Sequence, residues 1–320
     1  MSLLEVEALQ VWFDVPHGDR VHAVREVDFR LDPGQRLGLV GESGSGKTTT
    51  ILALMGLLPP SATVGGEVRV HGNDILEGGE DAARRYRWKD VAMVFQGAMN
   101  AFNPVMTIGW QIVEPMAVHH VARGSAARSK AGDLLEMVGL PATVADKYPH
   151  ELSGGMRQRA AIAMALACQP KVLLADEPTT ALDVMAQAQV LQLLKRLSEE
   201  LDLALVLVTH DLAVVSQVCE RAAVMYAGQV VEIGTMNDLY HSARHPYTRL
   251  LFEATPDPLG ERAVASIPGS PPRLDQEVTG CAFQPRCSVA MDSCDREPPP
   301  VREVAPAWRA ACHHNDEDAL

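Results

Sequence analysis

The sequence predicts an α/β fold: a mixed sheet with antiparallel N-terminal strands, a mainly helical segment, and a small irregular C-terminal extension. Three observations lead to this fold class. Residues 4–7 and 27–31 alternate apolar and polar side chains, which is the period of half-buried strands. Residues 107–168 change to helical spacing, and Gly139 marks a helix end within them. Short continuous apolar runs have the length of buried strands, and they lie at 37–40, 91–95, 172–175 and 203–208.

The remaining elements follow from the same patterns. Residues 67–72 alternate again, which predicts a further strand. Residues 184–201 have the length and spacing of a long helix. Residues 222–226 and 230–234 predict a hairpin, because turn-forming residues at 227–229 separate two apolar runs.

Prolines crowd the sequence beyond about residue 241, and the periodicity fades there. A stretch of this kind lacks a hydrophobic core large enough to fold alone, and it needs a cross-link to be ordered. We therefore predict two domains. They are residues 1–240, with a helical subdomain inserted at about 97–168, and an extension at 241–320.

Composition limits the possible functions. The chain has 320 residues, 47% apolar side chains and a net charge of −13. This negative charge argues against nucleic acid as the main partner, because neutralising phosphates requires a basic surface. No apolar run approaches the roughly 18 residues of a membrane span. Glu5 and Glu7 stand where a signal peptide would be basic and then apolar, so we expect a protein of the cytosol.

Residues 41–48, Gly-Glu-Ser-Gly-Ser-Gly-Lys-Thr, lie between an apolar strand and a helix-like segment at 49–58. This is the context of a phosphate-binding loop rather than of a plain glycine-rich turn. Glycines let successive N–H groups face a triphosphate, and the helix adds its positive dipole end. Lys47 can reach the β- and γ-phosphates, and the Thr48 hydroxyl can bind Mg²⁺. The predicted ATP-binding residues here are Gly41, Ser43, Gly44, Ser45, Gly46, Lys47, Thr48 and Thr49.

Polar side chains also follow three of the apolar runs. Gln96 follows the run at 91–95, and Asp176 and Glu177 follow the run at 172–175. His210 follows the run at 203–208. Ser153 and two glycines precede another helix, which makes a second helix N-terminus able to receive phosphate oxygens. Phe13, at the end of the first alternating run, suits either the core or stacking on an adenine ring.

These motifs occur in one order along the chain, and over residues 1 to about 240 they resemble the ATP-binding-cassette (ABC) ATPases, the motor subunits of ABC transporters. Residues 152–158 read as the signature motif of that family without a departure. The resemblance implies that Glu177 is the general base and that His210 contacts the γ-phosphate. It implies that Thr48, Gln96 and Asp176 bind Mg²⁺. It also implies that Phe13 stacks on adenine. Further nucleotide contacts implied by it are Ser153, Gly154, Gly155, Gln158 and Asp183.

The resemblance also implies an assembly. In ABC ATPases the signature motif of one subunit binds the γ-phosphate held by the phosphate loop of another, so two subunits enclose two ATP molecules. The resemblance favours a paralogue as the partner, with an identical chain as the alternative. The implied complex also contains two transmembrane permease subunits, which contact this chain near residues 96–110. An extracytoplasmic substrate-binding protein completes the complex. The chain is then expected at the cytoplasmic face of the cell membrane.

The extension narrows the resemblance to the ATPases of oligopeptide/dipeptide importers. Three stretches carry it: His-Pro-Tyr-Thr at 245–248, Ile-Pro-Gly-Ser-Pro-Pro at 267–272 and Gly-Cys-Ala-Phe-Gln-Pro-Arg-Cys at 280–287. The residues at 148–151, which lead into the signature motif, are typical of the same group. Relatives in this group also import nickel or oligosaccharides, so the cargo stays open between these and peptides.

Four of the six cysteines lie in the extension, and they are Cys281, Cys287, Cys294 and Cys312. Their spacing is neither that of a zinc ribbon nor that of a ferredoxin. By count, four thiolates suit zinc or an iron–sulfur cluster equally, and free thiols or disulfides are the alternative. The resemblance to the importer ATPases favours a [4Fe–4S] cluster, with Zn²⁺ second. The other two cysteines, Cys168 and Cys219, sit among apolar residues and are expected in the core.

Two other functions are compatible with parts of this pattern. A soluble ABC ATPase that acts on ribosomes or DNA usually has two cassettes, a coiled-coil insertion or a basic surface, and this chain shows none of these patterns. A metal-binding regulator that only retains the fold would not need Lys47, Glu177 and His210 together. An ATPase that drives peptide import is therefore the main prediction.

Overall fold

The computed structural model describes residues 2–15, 20–97, 101–255, 266–274 and 278–316. The strands are β1 Leu4–Phe13, β2 Val21–Leu31, β3 Arg36–Val40, β4 Ala62–Val70, β5 Asn73–Asp74, β6 Val91–Val94, β7 Val172–Asp176, β8 Ala204–Thr209, β9 Arg221–Tyr226, β10 Gln229–Thr235, β11 Val301–Ala305 and β12 Trp308–Ala311. The α-helices are α1 Lys47–Leu54, α2 Gly79–Tyr86, α3 Ile108–Val118, α4 Gly124–Met137, α5 Gly154–Ala165, α6 Val184–Glu200, α7 Leu212–Val218, α8 Met236–Ser242, α9 Pro246–Glu253 and α10 Ser293–Arg296.

The chain divides into two compact units, each made of several segments. The first unit comprises Met1–Leu4, Leu31–Arg36 and Arg69–Leu207, and the second comprises Glu5–Arg30, Leu37–Val68 and Val208–Leu320. The predicted α/β class with antiparallel strands at the N-terminal end is confirmed. Among the described residues, no helix is both long and apolar enough to cross a bilayer.

In the first unit, β6 and β7 pair in parallel, with Val94 opposite Ala175. All residues of both strands are buried, as continuous apolar runs predict. Helices α3, α4 and α5 form the predicted helical segment, and α4 packs against the other two. Gly139 follows α4 with a positive φ of 75°, so this glycine ends the helix as its sequence position predicts. The long helix α6 also lies where predicted.

In the second unit, β3 pairs in parallel with β9, and β9 forms the predicted antiparallel hairpin with β10. β1 lies between β2 and β4 in a separate sheet. The helix after the phosphate loop is shorter than residues 49–58. It runs from Lys47 to Leu54, because Gly56 takes a positive φ of 58° before the prolines are reached.

The described part of the extension is more regular than the sequence predicts. It contains α9, α10 and an antiparallel β11–β12 hairpin, and β12 pairs with β10 so that Glu232 lies opposite Ala310. The prolines at 298–300 end just before β11, so they do not interrupt its ladder. The extension therefore continues the sheet of its unit. The predicted domain boundary at residue 240 stays a prediction.

The buried carboxylate of Glu232 joins β10 to the extension. Its two oxygens accept hydrogen bonds from the backbone N–H groups of Arg244 (2.8 Å) and His245 (2.9 Å) and from the Trp308 indole Nε1–H (2.9 Å). Burial raises the pKa of the Glu232 carboxyl, and these donors oppose that shift. One carboxylate thus accepts hydrogen bonds from donors at the start of α9 and on β12.

Replacing Glu232 by Ala should lower the free energy of unfolding by about 3 kcal/mol or more, because buried donors left without an acceptor cost about 1–3 kcal/mol each. Chemical denaturation of the full chain, followed by circular dichroism, measures the change. Glu303→Ala on exposed β11 is the matched control and should stay within about 0.5 kcal/mol of the parent chain. Equal unfolding midpoints for the two variants would contradict the role given to Glu232.

Candidate functional site

The phosphate loop lies at the carboxyl end of β3, in the second unit. Gly41, Gly44 and Gly46 have positive φ angles of 152°, 78° and 99°. A Cβ at Gly41 would lie 2.2 Å from the backbone oxygen of Met225, and one at Gly46 would lie 2.6 Å from that of Ala23. Because both obstacles are backbone atoms, only glycine fits at these two positions.

Lys47 is buried at the start of α1, and its side chain curls back over the loop. Its Nζ donates to the backbone oxygens of Gly41 (2.8 Å) and Glu42 (2.7 Å) and to Ser45 Oγ (3.3 Å). The ammonium group therefore lies on the loop carbonyls, and its contact with a triphosphate stays a prediction. Ser43, Gly44 and Thr48 are exposed, Ser45 is buried, and Thr49 is half-buried. Exposure of the Thr48 side chain is compatible with its predicted role toward Mg²⁺.

Two other predicted residues of the second unit lie at strand ends. His210 is exposed directly after β8, and the next residue, Asp211, caps α7 by accepting from the N–H of Ala213 at 2.8 Å. Phe13 is the last residue of β1 and is half-buried. Both positions suit contact with a nucleotide, and their roles stay predictions.

In the first unit, the parallel pairing of β6 and β7 brings two predicted residues together. Gln96 Nε2 donates to Glu177 Oε2 at 2.7 Å, because both side chains follow the carboxyl ends of neighbouring strands. Glu177 has a positive φ of 42°, a backbone conformation that is uncommon outside glycine. Asp176, the last residue of β7, is buried.

Thr180 is a site residue that the sequence analysis missed. Its Oγ1 donates to the same oxygen of Glu177 at 2.9 Å, and its backbone N–H donates to the Glu177 carbonyl oxygen at 3.1 Å. A hydroxyl residue three positions after an acidic residue is the signal that could have found it, since such residues commonly close local turns. The Glu177 carboxylate is thus oriented by two side-chain donors.

The signature motif begins α5. The exposed Ser153 caps the helix by accepting from the N–H of Met156 at 3.3 Å. A Cβ at Gly154 would lie 3.5 Å from Leu182 Cδ2, and one at Gly155 would lie 3.2 Å from Ala186 Cβ. The N-terminus of α5 therefore packs closely on the start of α6.

Two further predicted contacts lie on α5 and before α6. Asp183 caps α6 by accepting from the N–H of Ala186 at 2.9 Å, and it is exposed. Gln158 is only 2% exposed, and its Nε2 has no hydrogen-bond partner in the part of the chain that the structure describes. Its predicted contact with nucleotide is untested.

The four cysteines of the extension line one narrow cavity, together with His245, His313 and His314 among others; the four are Cys281, Cys287, Cys294 and Cys312. None of the six cysteines, all of which lie in described segments, forms a disulfide. A Cβ at Gly280 would lie 2.3 Å from the backbone oxygen of Cys294, so this glycine permits the close approach of the two cysteine segments. The predicted core cysteines, Cys168 and Cys219, are buried.

Burial disfavours the charged thiolate form of three of the four cysteines in this cavity. Burial, the largest cause, raises the pKa of Cys281 to about 11, and the charges of the other three cysteines raise it further. Burial also raises the pKa of Cys287 and Cys312. Among the described residues, no three His, Cys, Asp or Glu side chains are arranged to hold a metal ion. The predicted cluster or zinc site therefore has a converging donor set but no formed coordination geometry.

Comparison with known proteins adds family information. The profile of the family described as "ABC transporter" matches residues 24–180, and that of "Oligopeptide/dipeptide transporter, C-terminal region" matches residues 231–294. The dipeptide transport ATP-binding protein DppD of Escherichia coli (strain K12) is 44% identical over 326 residues, which cover 100% of this chain and 98% of DppD. The oligopeptide transport ATP-binding protein OppD of Bacillus subtilis (strain 168) is 45% identical, with 95% of this chain and 86% of OppD covered.

Solved structures support the same assignment. The ATP-binding cassette MJ0796, in a dimeric post-hydrolysis state bound to ADP and Pi, matches with a TM-score of 0.65 and 30% identity, covering 73% of this chain and 98% of that one. CbiO1 from Clostridium perfringens, part of an ABC transporter complex, matches with a TM-score of 0.63 and 27% identity, covering 75% and 91%. The chain therefore belongs to the ABC ATPases, within the ATP-binding proteins of the oligopeptide/dipeptide transporter family.

Proposed function

We propose that this chain is the ATP-hydrolysing motor subunit of an importer for dipeptides or oligopeptides. The observation that carries the proposal is the match to DppD, whose name assigns it dipeptide transport, over the whole chain including the extension. A shared cassette alone would support only ATP hydrolysis, since one fold serves many functions. Similarity in the extension ties the chain to the transporters of peptides.

The site geometry supports hydrolysis with Glu177 as the general base. Its carboxylate accepts from Gln96 and Thr180 on one oxygen, which fixes its orientation before a water molecule is activated. Lys47 lies on the loop carbonyls and would follow the charge of the β- and γ-phosphates. Thr48, Gln96 and Asp176 would hold Mg²⁺, which neutralises phosphate charge when bound.

A second ATPase subunit fits the exposed surface around the start of α6. Val184 is 82% exposed and Met185 is 71% exposed, and they directly follow Asp183. Large apolar side chains exposed next to a signature helix suit burial by a partner. We assign this surface to the facing cassette, a paralogue or an identical chain, with ATP between its phosphate loop and Ser153, Gly154 and Gly155. His210 and Phe13 would contact the γ-phosphate and the adenine of the chain's own nucleotide.

Two permease subunits are the proposed membrane partners. The first unit exposes Val105, Trp110 and Val118 along and before α3. Residues 98–100, part of the segment expected to meet the permeases, lie outside the described residues. This contact would hold the chain at the cytoplasmic face of the membrane, and the permeases would receive cargo from an extracytoplasmic substrate-binding protein. Nucleic acid has no place in this arrangement.

We also propose that the four-cysteine cavity holds a [4Fe–4S] cluster, with Zn²⁺ as the alternative. Support comes from convergence of four thiols on one cavity without a disulfide. Binding of metal would deprotonate the thiols whose pKa burial raises. The bound cluster or zinc ion would cross-link the segments of the extension and so stabilise its fold.

Replacing Glu177 by Gln should leave ATP binding intact, abolish hydrolysis and trap the ATP-bound dimer, because the amide keeps the shape but cannot accept the water proton. Phosphate release and size-exclusion chromatography with ATP measure the two effects. Glu303→Gln, the same substitution at an exposed residue of β11, is a control that should retain hydrolysis. Turnover by Glu177→Gln at the parent rate would refute the assignment of the base.

Replacing Thr180 by Val should lower the turnover rate about tenfold or more with little change in ATP affinity. The reason is the loss of a hydrogen bond to a charged group, worth about 1.5 kcal/mol or more. Thr180→Ser keeps the hydroxyl and should retain most of the rate. If both variants hydrolyse ATP at the parent rate, the hydroxyl does not orient Glu177.

Anaerobically purified protein should be brown, should contain about four irons per chain and should bleach with dithionite, as expected for a Cys-ligated cubane. Cys294→Ser should lose iron and colour, whereas Cys168→Ser, at a buried position that does not line the cavity, should keep both. Colourless protein with one zinc per chain would establish the alternative metal. Protein without either metal would refute a metal site.

A further inference from the structure

Arg286 connects the cysteine segment of the extension to the phosphate loop, within the second unit. Its Nη1 donates to Glu42 Oε2 at 2.7 Å, and its Nη2 donates to Glu42 Oε1 at 2.9 Å. The Arg286 side chain is 4% exposed and that of Glu42 is 25% exposed. A bidentate, largely buried guanidinium–carboxylate pair is among the strong and geometrically specific ion pairs. Its partners are 244 positions apart in the sequence.

The guanidinium is itself held by its surroundings. Its Nε donates to the carbonyl oxygen of Pro268 at 2.7 Å, and its Nη1 also donates to the Tyr226 hydroxyl at 3.1 Å. It lies 5.6 Å from the centre of the Tyr226 ring and 5.8 Å from that of Phe283. These contacts fix the position of the cation. Arg286 therefore presents a rigid charge to Glu42 rather than a mobile one.

A second contact from the extension reaches the same loop residue. The backbone N–H of Glu42 donates to the hydroxyl of the buried Tyr247 at 2.9 Å. The Glu42 carbonyl oxygen accepts from Lys47 Nζ at 2.7 Å. The N–H, the carbonyl and the carboxylate of Glu42 are thus all engaged, two of them by the extension. The three stretches at 245–248, 267–272 and 280–287 each contribute a residue to this arrangement.

The negative charge of Glu42 would oppose the binding of ATP. Glu42 places a negative charge in a loop whose proposed ligand carries about four negative charges, and like charges at close range oppose binding. Arg286 neutralises this carboxylate through two hydrogen bonds. Without the guanidinium, the carboxylate would be free to turn toward the triphosphate and repel it.

We propose that Arg286 is a positioning residue for the phosphate loop: it holds Glu42 in place and cancels its charge, so that the extension sets the affinity of the cassette for ATP. This inference rests on the proposed role of residues 41–48 in binding ATP. It gives the extension a function in the nucleotide cycle of its own subunit. The turn Gln284–Arg286 that carries the guanidinium leads directly into Cys287, so the link starts at the edge of the cysteine cavity.

The test measures ATP affinity of the full chain by calorimetric titration without Mg²⁺, so that hydrolysis does not interfere. Arg286→Ala should raise the Kd for ATP about tenfold, because the uncompensated carboxylate of Glu42 would repel the triphosphate. Glu42→Gln alone should leave the Kd unchanged or lower it. The double variant Arg286→Ala/Glu42→Gln should return the Kd to within about threefold of the parent value, because no uncompensated carboxylate remains.

Two further variants serve as controls. Arg296→Ala removes an exposed arginine of the same segment and should leave the Kd unchanged. Arg286→Lys keeps the charge but not the bidentate fork, and it should give an intermediate Kd. Circular dichroism identifies any variant that fails to fold. If Arg286→Ala fails to fold, the Kd values of Arg286→Lys and Glu42→Gln still test the inference.

The outcomes separate this inference from the proposed function. A parent chain that does not bind ATP would refute the proposed function itself. Parent-like affinity in Arg286→Ala, with ATP bound by the parent chain, would refute only the link to the extension. A raised Kd that Glu42→Gln fails to rescue would show that Arg286 acts through the fold and not through the charge of Glu42, which also overturns the inference.

Discussion

Gly41 and Gly46 lie so close to the backbone oxygens of Met225 and Ala23 that only a hydrogen atom fits in place of a side chain. This constraint fixes the curl of the phosphate loop against β9 and β2 of the same unit. The position of Lys47 follows from it, since its Nζ lies on the loop carbonyls. This packing holds the loop in one shape, which reduces the ordering cost of binding an anion.

The extension contributes to this loop as well as to the sheet. Glu232 and β12 attach it to β10, and Arg286 and Tyr247 attach it to Glu42. A proline-rich tail with little periodicity reads as an appendage, yet its described part provides buried donors and aromatic rings to the second unit. Tyr226, Tyr247 and Phe283 pack with ring centres 4.6 to 5.4 Å apart, which gives this junction an apolar centre.

The residues of the first unit that are proposed to act in hydrolysis owe their arrangement to parallel strand pairing. β6 and β7 end at the same edge of the sheet, so Gln96 and Glu177 meet although 81 positions separate them. The positive φ of Glu177 and the hydroxyl of Thr180 then set the direction of the carboxylate. Strain at a residue of this kind is common where a side chain must point at a reacting group.

The sequence by itself determined the features that a short segment specifies. Glycines at positions of positive φ, polar residues after buried strands and caps before helices are local requirements, so the phosphate loop, Glu177, Ser153 and most element positions could be read from it. Tertiary structure alone decided which distant groups pair. The partnership of Arg286 with Glu42, the second donor on Glu177, and the joining of β12 to β10 depend on contacts between segments that carry no shared periodicity. Such contacts are selected by burial and by the need to satisfy buried charges and donors, and these conditions exist only once the chain has folded.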